Sequence, residues 1–157
     1  VMRYRYVGPA GIPEEAAGVE PIDLACLGRH LGMPLTYVVG LDGRLRLAPR
    51  QSEHVVLAGG QDVLAAGEMT FDAEHRVVEV SNQSTGYCPD PDCWPAVAES
   101  LDRLGMEHPD GFTHELTFRS CPDCGERNIV RDGDFTCALC DGELPMVWNF
   151  NPAPGRP

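Results

Sequence analysis

Four cysteines set the tightest constraint on this chain. Cys121 and Cys124 open the stretch CPDCGERNIVRDGDFTCALC and Cys137 and Cys140 close it, each pair with Cys-x-x-Cys spacing. Such a turn bends the backbone enough to aim two sulfurs at one point, and two turns face to face supply four thiolates. Between them, the strand RNIV, the turn RDGD and the strand FTC predict a hairpin that returns the second pair over the first. Four thiolates at about 2.3 Å close the coordination sphere of one zinc ion and leave no position for a reacting water. The expected cofactor is therefore a single structural Zn2+ held by Cys121, Cys124, Cys137 and Cys140.

Residues 119 to 146 resemble the zinc-ribbon family. The resemblance implies a metal-stabilised module but no particular activity, because ribbons occur in proteins of many functions. Two rival chemistries use the same cysteines. Disulfides are disfavoured in a cytosolic chain, and a rubredoxin-like iron site favours Cys-x-x-Cys-Gly on both sides, whereas the second pair here is CALCDG. In this region Arg119, Arg127 and Arg131 face Asp123, Glu126, Asp132, Asp134, Asp141 and Glu143, and four thiolates around one dication add further negative charge. Phosphate neutralisation needs the opposite sign, so the ribbon is not expected to bind nucleic acid. Leu144, Met146, Val147, Trp148 and Phe150 are apolar anchors, turned either to the body or to a partner.

The preceding residues predict an antiparallel α+β body with two helices. EPIDLACLGRHLGMP places Ile22, Cys26, Leu27 and Leu31 at helical spacing, ended by Pro34. LTYVVGLDGRLRLAP is a hairpin about Leu-Asp-Gly, HVVLAGG a short buried strand, and DVLAAGEMTF with RVVEVS a second hairpin across DAEH. SNQSTGYCPDPD is a polar loop. In PDCWPAVAESLDRLG, Asp92 is the candidate N-cap, Trp94, Val97, Leu101 and Leu104 form an apolar stripe, and Gly105 occupies the C-cap position. FTHELTF returns as a strand. The expected organisation is a body over 1–118, a ribbon over 119–150 and a frayed tail over 151–157.

All twelve basic residues are arginine, which fits GC-rich coding and excludes Schiff-base catalysis and a Walker-type phosphate lysine. The net charge of −12 is concentrated in residues 51–118, where two arginines face thirteen acids. Such a field repels phosphate backbones and draws cationic proteins, although acidity also serves plain solubility. Val1-Met2 reads as a cloning remnant with no secretory pattern after it, and no apolar run approaches a membrane span. A cytoplasmic protein without membrane contact is expected.

A catalytic alternative centres on Glu68, held in a largely apolar strand where a carboxylate needs a partner. His54, Ser84 and Tyr87 are candidates to join it at the same end of the sheet. Residues 54–89, HVVLAGGQDVLAAGEMTF to VVEVSNQSTGYCP, also resemble a β-hairpin module of bacterial toxin and effector proteins. That resemblance implies a bacterial conflict context and no specific chemistry. Cys88 and Cys93 would need two further ligands, with His108 or Cys26 as candidates, to make a second metal site; free thiols are the default. Cys26 reads as a core residue. No P-loop, nucleophile elbow or His-Glu-x-x-His motif is present. The sequence therefore predicts a zinc-binding, non-catalytic interaction or accessory module for a protein with a basic surface. An effector-like enzyme is the alternative, and a nucleic-acid mimic a third reading.

Overall fold

The computed structural model describes residues 2–10 and 20–150. A four-stranded antiparallel sheet forms the body: β1 (Leu35–Gly40), β2 (Leu45–Pro49), β3 (Val63–Phe71) and β4 (Val77–Val80), in the spatial order β2-β1-β3-β4. A separate antiparallel pair, β5 (Thr117–Ser120) with β6 (Arg127–Val130), carries the cysteines. The described α-helices are α1 (His54–Leu57) and α2 (Trp94–Arg103), with 3-10 turns at Leu24–Arg29 and Pro91–Cys93. The α+β class and the C-terminal cysteine cluster are as expected. β5 runs across the anticipated boundary between residues 118 and 119, and the anticipated tail lies outside the described residues. No described helix is long and apolar enough to cross a membrane.

Both body hairpins form where turn chemistry and alternation place them. β1 is buried along its whole length, and its β-branched and aromatic residues pack between β2 and β3. One side of the sheet is closed by α2, whose Val97 and Leu101 are fully buried. Trp94 packs edge-on against Phe112, with ring centroids 5.1 Å apart. Gly105 ends α2 at φ 68°, donating to Asp102 O while Met106 N reaches Leu101 O. Leu104, expected on the buried stripe, is exposed beside that turn.

Three local expectations are corrected. HVVLAGG is not a strand: Leu57 N bonds Glu53 O and Ala58 N bonds His54 O, closing one helical turn. Gly59 and Gly60, at φ 63° and 79°, then stop it, and four apolar residues are too few for periodicity to distinguish the two forms. The helix foreseen over residues 20–34 shrinks to six residues, because Ile22 N is drawn onto Leu47 O and Asp23 caps the turn by accepting from Ala25 N. The cap before α2 is Asp90 rather than Asp92: its carboxylate accepts from Asp92 N at 3.1 Å, and the 3-10 turn leads directly into the helix.

The expected RNIV–FTC hairpin is half right. Asp132 and Gly133, both at positive φ, make the tight primed turn that Asp-Gly predicts. Beyond the Arg131–Asp134 bridge, however, the returning segment leaves the ladder, and β6 pairs instead with β5 in the register Phe118↔Ile129.

Three side chains fix the chain where the body passes into the ribbon. Asn82, with no exposed surface, accepts from Leu116 N at 2.7 Å and donates to Leu116 O and Pro89 O. Trp148 donates from Nε1 to Cys88 O at 2.8 Å and packs edge-on against Tyr4. Arg119, only 6% exposed, donates to the carbonyls of Phe118, Pro145 and Met146. Cys88, Phe118 and Phe150 form a small buried core with Val7, Leu116, Ile129 and Trp148 packed against it. Of the apolar anchors, Leu144 and Phe150 are thus buried and Trp148 faces the body, while Met146 and Val147 stay 72% and 75% exposed.

Tyr37 sets the geometry at the centre of the sheet. It stands opposite Gly67 and donates its hydroxyl to Ser81 O at 2.8 Å. A Cβ on Gly67 would overlap the Ser81 carbonyl and come within 2.9 Å of the Tyr37 ring. Gly67→Ala should therefore cost about 1–3 kcal/mol as backbone and ring move apart. Urea unfolding measures it, and an unchanged midpoint would contradict this packing.

Candidate metal centre

The ribbon brings all four cysteine sulfurs together, each within 4.8 Å of the others. Cys121 Sγ lies 3.5 Å from Cys140 Sγ, and Cys124 Sγ lies 3.7 Å from Cys137 Sγ. A tetrahedron of thiolates at 2.3 Å from a central ion has edges of about 3.8 Å, so the cluster has the size of a four-thiolate metal site. Cys121 and Cys137 are buried, and Cys124 and Cys140 are exposed. The site is compatible with a zinc-binding module.

Two backbone loops of the same design build it. In the first, Cys121 N donates to Glu126 O and Gly125 N to Cys121 O; in the second, Cys137 N donates to Gly142 O and Asp141 N to Cys137 O. The equivalent positions Gly125 and Asp141 both adopt positive φ, 79° and 63°. Glycine takes this conformation freely, and aspartate is among the residues that tolerate it. The strand β6 places Asn128 between the loops. Its Oδ1 accepts from Ala138 N at 2.9 Å, and its Nδ2 donates to Glu126 O at 3.0 Å and toward Cys137 Sγ at 3.4 Å. Leu139 N also points at Cys137 Sγ, and Gly142 N at Cys140 Sγ, each at 3.4 Å.

These donors divide the thiols. The Cys140 N–H, followed by Asn128 and Leu139, lowers the Cys137 thiol to about 6. The Gly142 N–H favours the Cys140 thiolate, but the neighbouring Cys121 and Cys124 sulfurs outweigh it and push Cys140 up to about 12. Sulfurs in contact cannot all ionise unless a cation stands between them, so metal uptake here would release protons.

Asn128 was not singled out in the sequence. The available signal is its position: the third residue after Gly125, in the strand leaving the first loop, is where one amide can reach both loops.

The remaining cysteines stay apart. Burial pushes the Cys88 and Cys93 thiols up to about 12 each. Cys88 Sγ leans toward Thr85 O, and Cys26 is half-buried. His108 has both ring nitrogens engaged, Nε2 with Asp102 at 2.8 Å and Nδ1 with Pro109 O at 2.7 Å. Among the described residues no second group of ligand atoms converges.

The four candidate catalytic residues fall into two pairs, His54 near Glu68 at the sheet and Ser84 with Tyr87 in their own loop. His54 Nε2 lies 2.8 Å from Gly67 O, so it carries the proton, and burial holds the imidazole below its usual range. Glu68 faces Arg50 Nε at 3.5 Å. Ser84 accepts from Tyr87 N at 3.2 Å within their own loop, and the Tyr87 hydroxyl donates to Gln61 O at 2.7 Å. Burial raises the Tyr87 phenol well above its usual range. Among the described residues no hydrogen bond joins Ser84 or Tyr87 to His54 or Glu68.

No protein-family model, no curated protein and no solved structure matches this chain. The likeness to zinc ribbons consequently rests on the cysteine geometry, and the likeness of residues 54–89 to an effector hairpin gains no support.

Asn128→Ala removes the amide that spans both loops and one donor to Cys137. Metal affinity should fall about 10–100-fold, measured by competition with a chromophoric chelator, with the body's fold retained. Affinity equal to that of the unaltered chain would show that Asn128 does not support the site.

Proposed function

We propose that this chain is a zinc-stabilised, non-catalytic protein-interaction module whose acidic body steers a cationic protein partner. The observation that carries the reading is the four-sulfur cluster, compatible with a closed tetrahedral site. Zinc suits four thiolates at these separations, and with four protein ligands its role is shape rather than chemistry.

The charge distribution supports a cationic partner. Several arginines are committed to contacts within the chain. Arg119 is buried among carbonyls, and Arg127 donates to Thr85 O. Arg46 pairs with Asp42, Arg76 with Asp72 and Arg103 with Glu99. The outward field is then dominated by carboxylates of residues 51–118. Such a field raises the encounter rate with a basic surface and repels nucleic acid. Leu139, Met146 and Val147, all largely exposed on the ribbon, supply apolar contact area. A cytoplasmic, bacterial setting agrees with thiols kept for metal rather than for disulfides.

The test is affinity capture with the full chain from a nuclease-treated bacterial lysate, with salt titrated from about 50 to 500 mM across the range where surface charges become screened. The expected result is a stoichiometric protein with a basic surface whose retention falls steeply as salt rises. Recovery of an acidic protein, of nucleic acid, or of no partner at low salt would contradict the reading.

A further inference from the structure

Beside the β3–β4 ladder lies a cavity of about 290 Å3 whose lining includes Glu68, Thr70, Glu79 and His114. The register explains the grouping. Thr70 stands opposite Glu79, and Ser81 N bonds Glu68 O in the next row, so both carboxylates project from one face of the sheet in adjacent rows. Pro34, Met69 and Leu116 supply apolar walls.

Two polar groups here are unused. Glu79 has no ion-pair or hydrogen-bond partner for its carboxylate among the described residues. Thr70 is only 9% exposed, lines the cavity, and its hydroxyl likewise makes no hydrogen bond with the described residues. That hydroxyl keeps its remaining exposure toward the cavity, so with the free Glu79 carboxylate it offers acceptors that suit an occupant carrying N–H groups. A bare metal ion is a poor fit, because the Glu68, Glu79 and His114 ligand atoms do not converge as the four sulfurs do. The chain itself supplies a precedent: the largely exposed Arg50 side chain already brings its Nε to 3.5 Å from Glu68.

We propose that this cavity receives a guanidinium group, the end of an arginine side chain on the cationic partner, an inference that rests on the docking function above. Glu79 and Glu68 accept N–H groups from its two edges, and Thr70 Oγ1 accepts another. The apolar walls cover the flat face and the methylene stem. Guanidinium suits the site better than ammonium because it is planar, weakly hydrated and forked, so it can serve acceptors in different rows. Arg50 competes for Glu68 and is displaced when the partner binds.

The test is an amide-resolved NMR titration of the full chain with N-acetyl-arginine N-methylamide at low salt, with the lysine analogue run in parallel. Saturable shifts should centre on Thr70, Glu79 and Ser81, with a dissociation constant on the order of millimolar for so small a ligand. Glu79→Gln, at an exposed position, should weaken binding about tenfold, Thr70→Val should weaken it severalfold, and Arg50→Ala should tighten it. Absence of saturable shifts would overturn the proposal, as would shifts insensitive to all three variants or equal binding of the lysine analogue. Any of these would leave a salt-sensitive basic partner standing if capture finds one. Saturable arginine binding with no basic protein captured would instead overturn the docking function, and with it the assignment of the guanidinium to a partner.

Discussion

The mutual approach of four sulfurs is the contact on which the C-terminal third depends. Cys121 with Cys140, and Cys124 with Cys137, sit at distances that thiolates tolerate only around a shared cation. Both backbone loops, the positive φ at Gly125 and Asp141, and the span of Asn128 serve that convergence. Its effects reach further along the chain. Leu144 is buried against Cys121 and Cys137, with its N–H on Phe135 O, and this fixes where the chain leaves the second loop. From there Arg119 holds the carbonyls of Pro145 and Met146, Asn149 pairs with the backbone of Ser120, and Trp148 reaches the body. A metal site of this kind stabilises more than its own loops, because the register of the returning arm is set beside it.

The body is held by a different device, close backbone approach in the middle of a sheet. Gly67 lets the Tyr37 ring lie across β3, and that ring reaches the Ser81 carbonyl at the end of β4. One residue further on, Asn82 satisfies both backbone groups of Leu116 and so aims the chain toward β5. Buried amides used this way are sensitive to any change, since each lost partner leaves a polar group without water. Ser81 and Asn82, consecutive in the chain, thus tie the sheet to the segment that leads into β5.

The sequence was most legible where chemistry is local. Cys-x-x-Cys spacing, the Asp-Gly turn, the apolar strand of residues 63–71 and the body of the Trp94 helix all depend on near neighbours, and each formed where expected. It was least legible where distant backbone competes. Ile22 left its helical pattern because Leu47 O was available, and HVVL coiled because two glycines could close the turn. Arg119 counted as a surface charge from sequence, yet it is an internal tie, since nothing local reveals the three carbonyls that surround it. The four cysteines that cluster were all recognisable in advance. Asn128 was not, because an asparagine in a short strand carries no signature until both loops are placed around it. Glu68 drew attention for its apolar setting, but the unpaired groups beside it, Thr70 and Glu79, emerge only from the strand register.

The proposed function divides the work between a C-terminal ribbon that presents exposed apolar side chains and an acidic body that would attract positive charge. The C-terminal half of this account requires the four cysteines to hold one ion with no open coordination position. The most direct measurement is zinc K-edge X-ray absorption on the metal-loaded full chain. The account predicts one zinc per chain with a first shell of four sulfurs at about 2.3 Å. A first shell containing nitrogen or oxygen near 2.0–2.1 Å, or a chain that takes up no zinc, would contradict it.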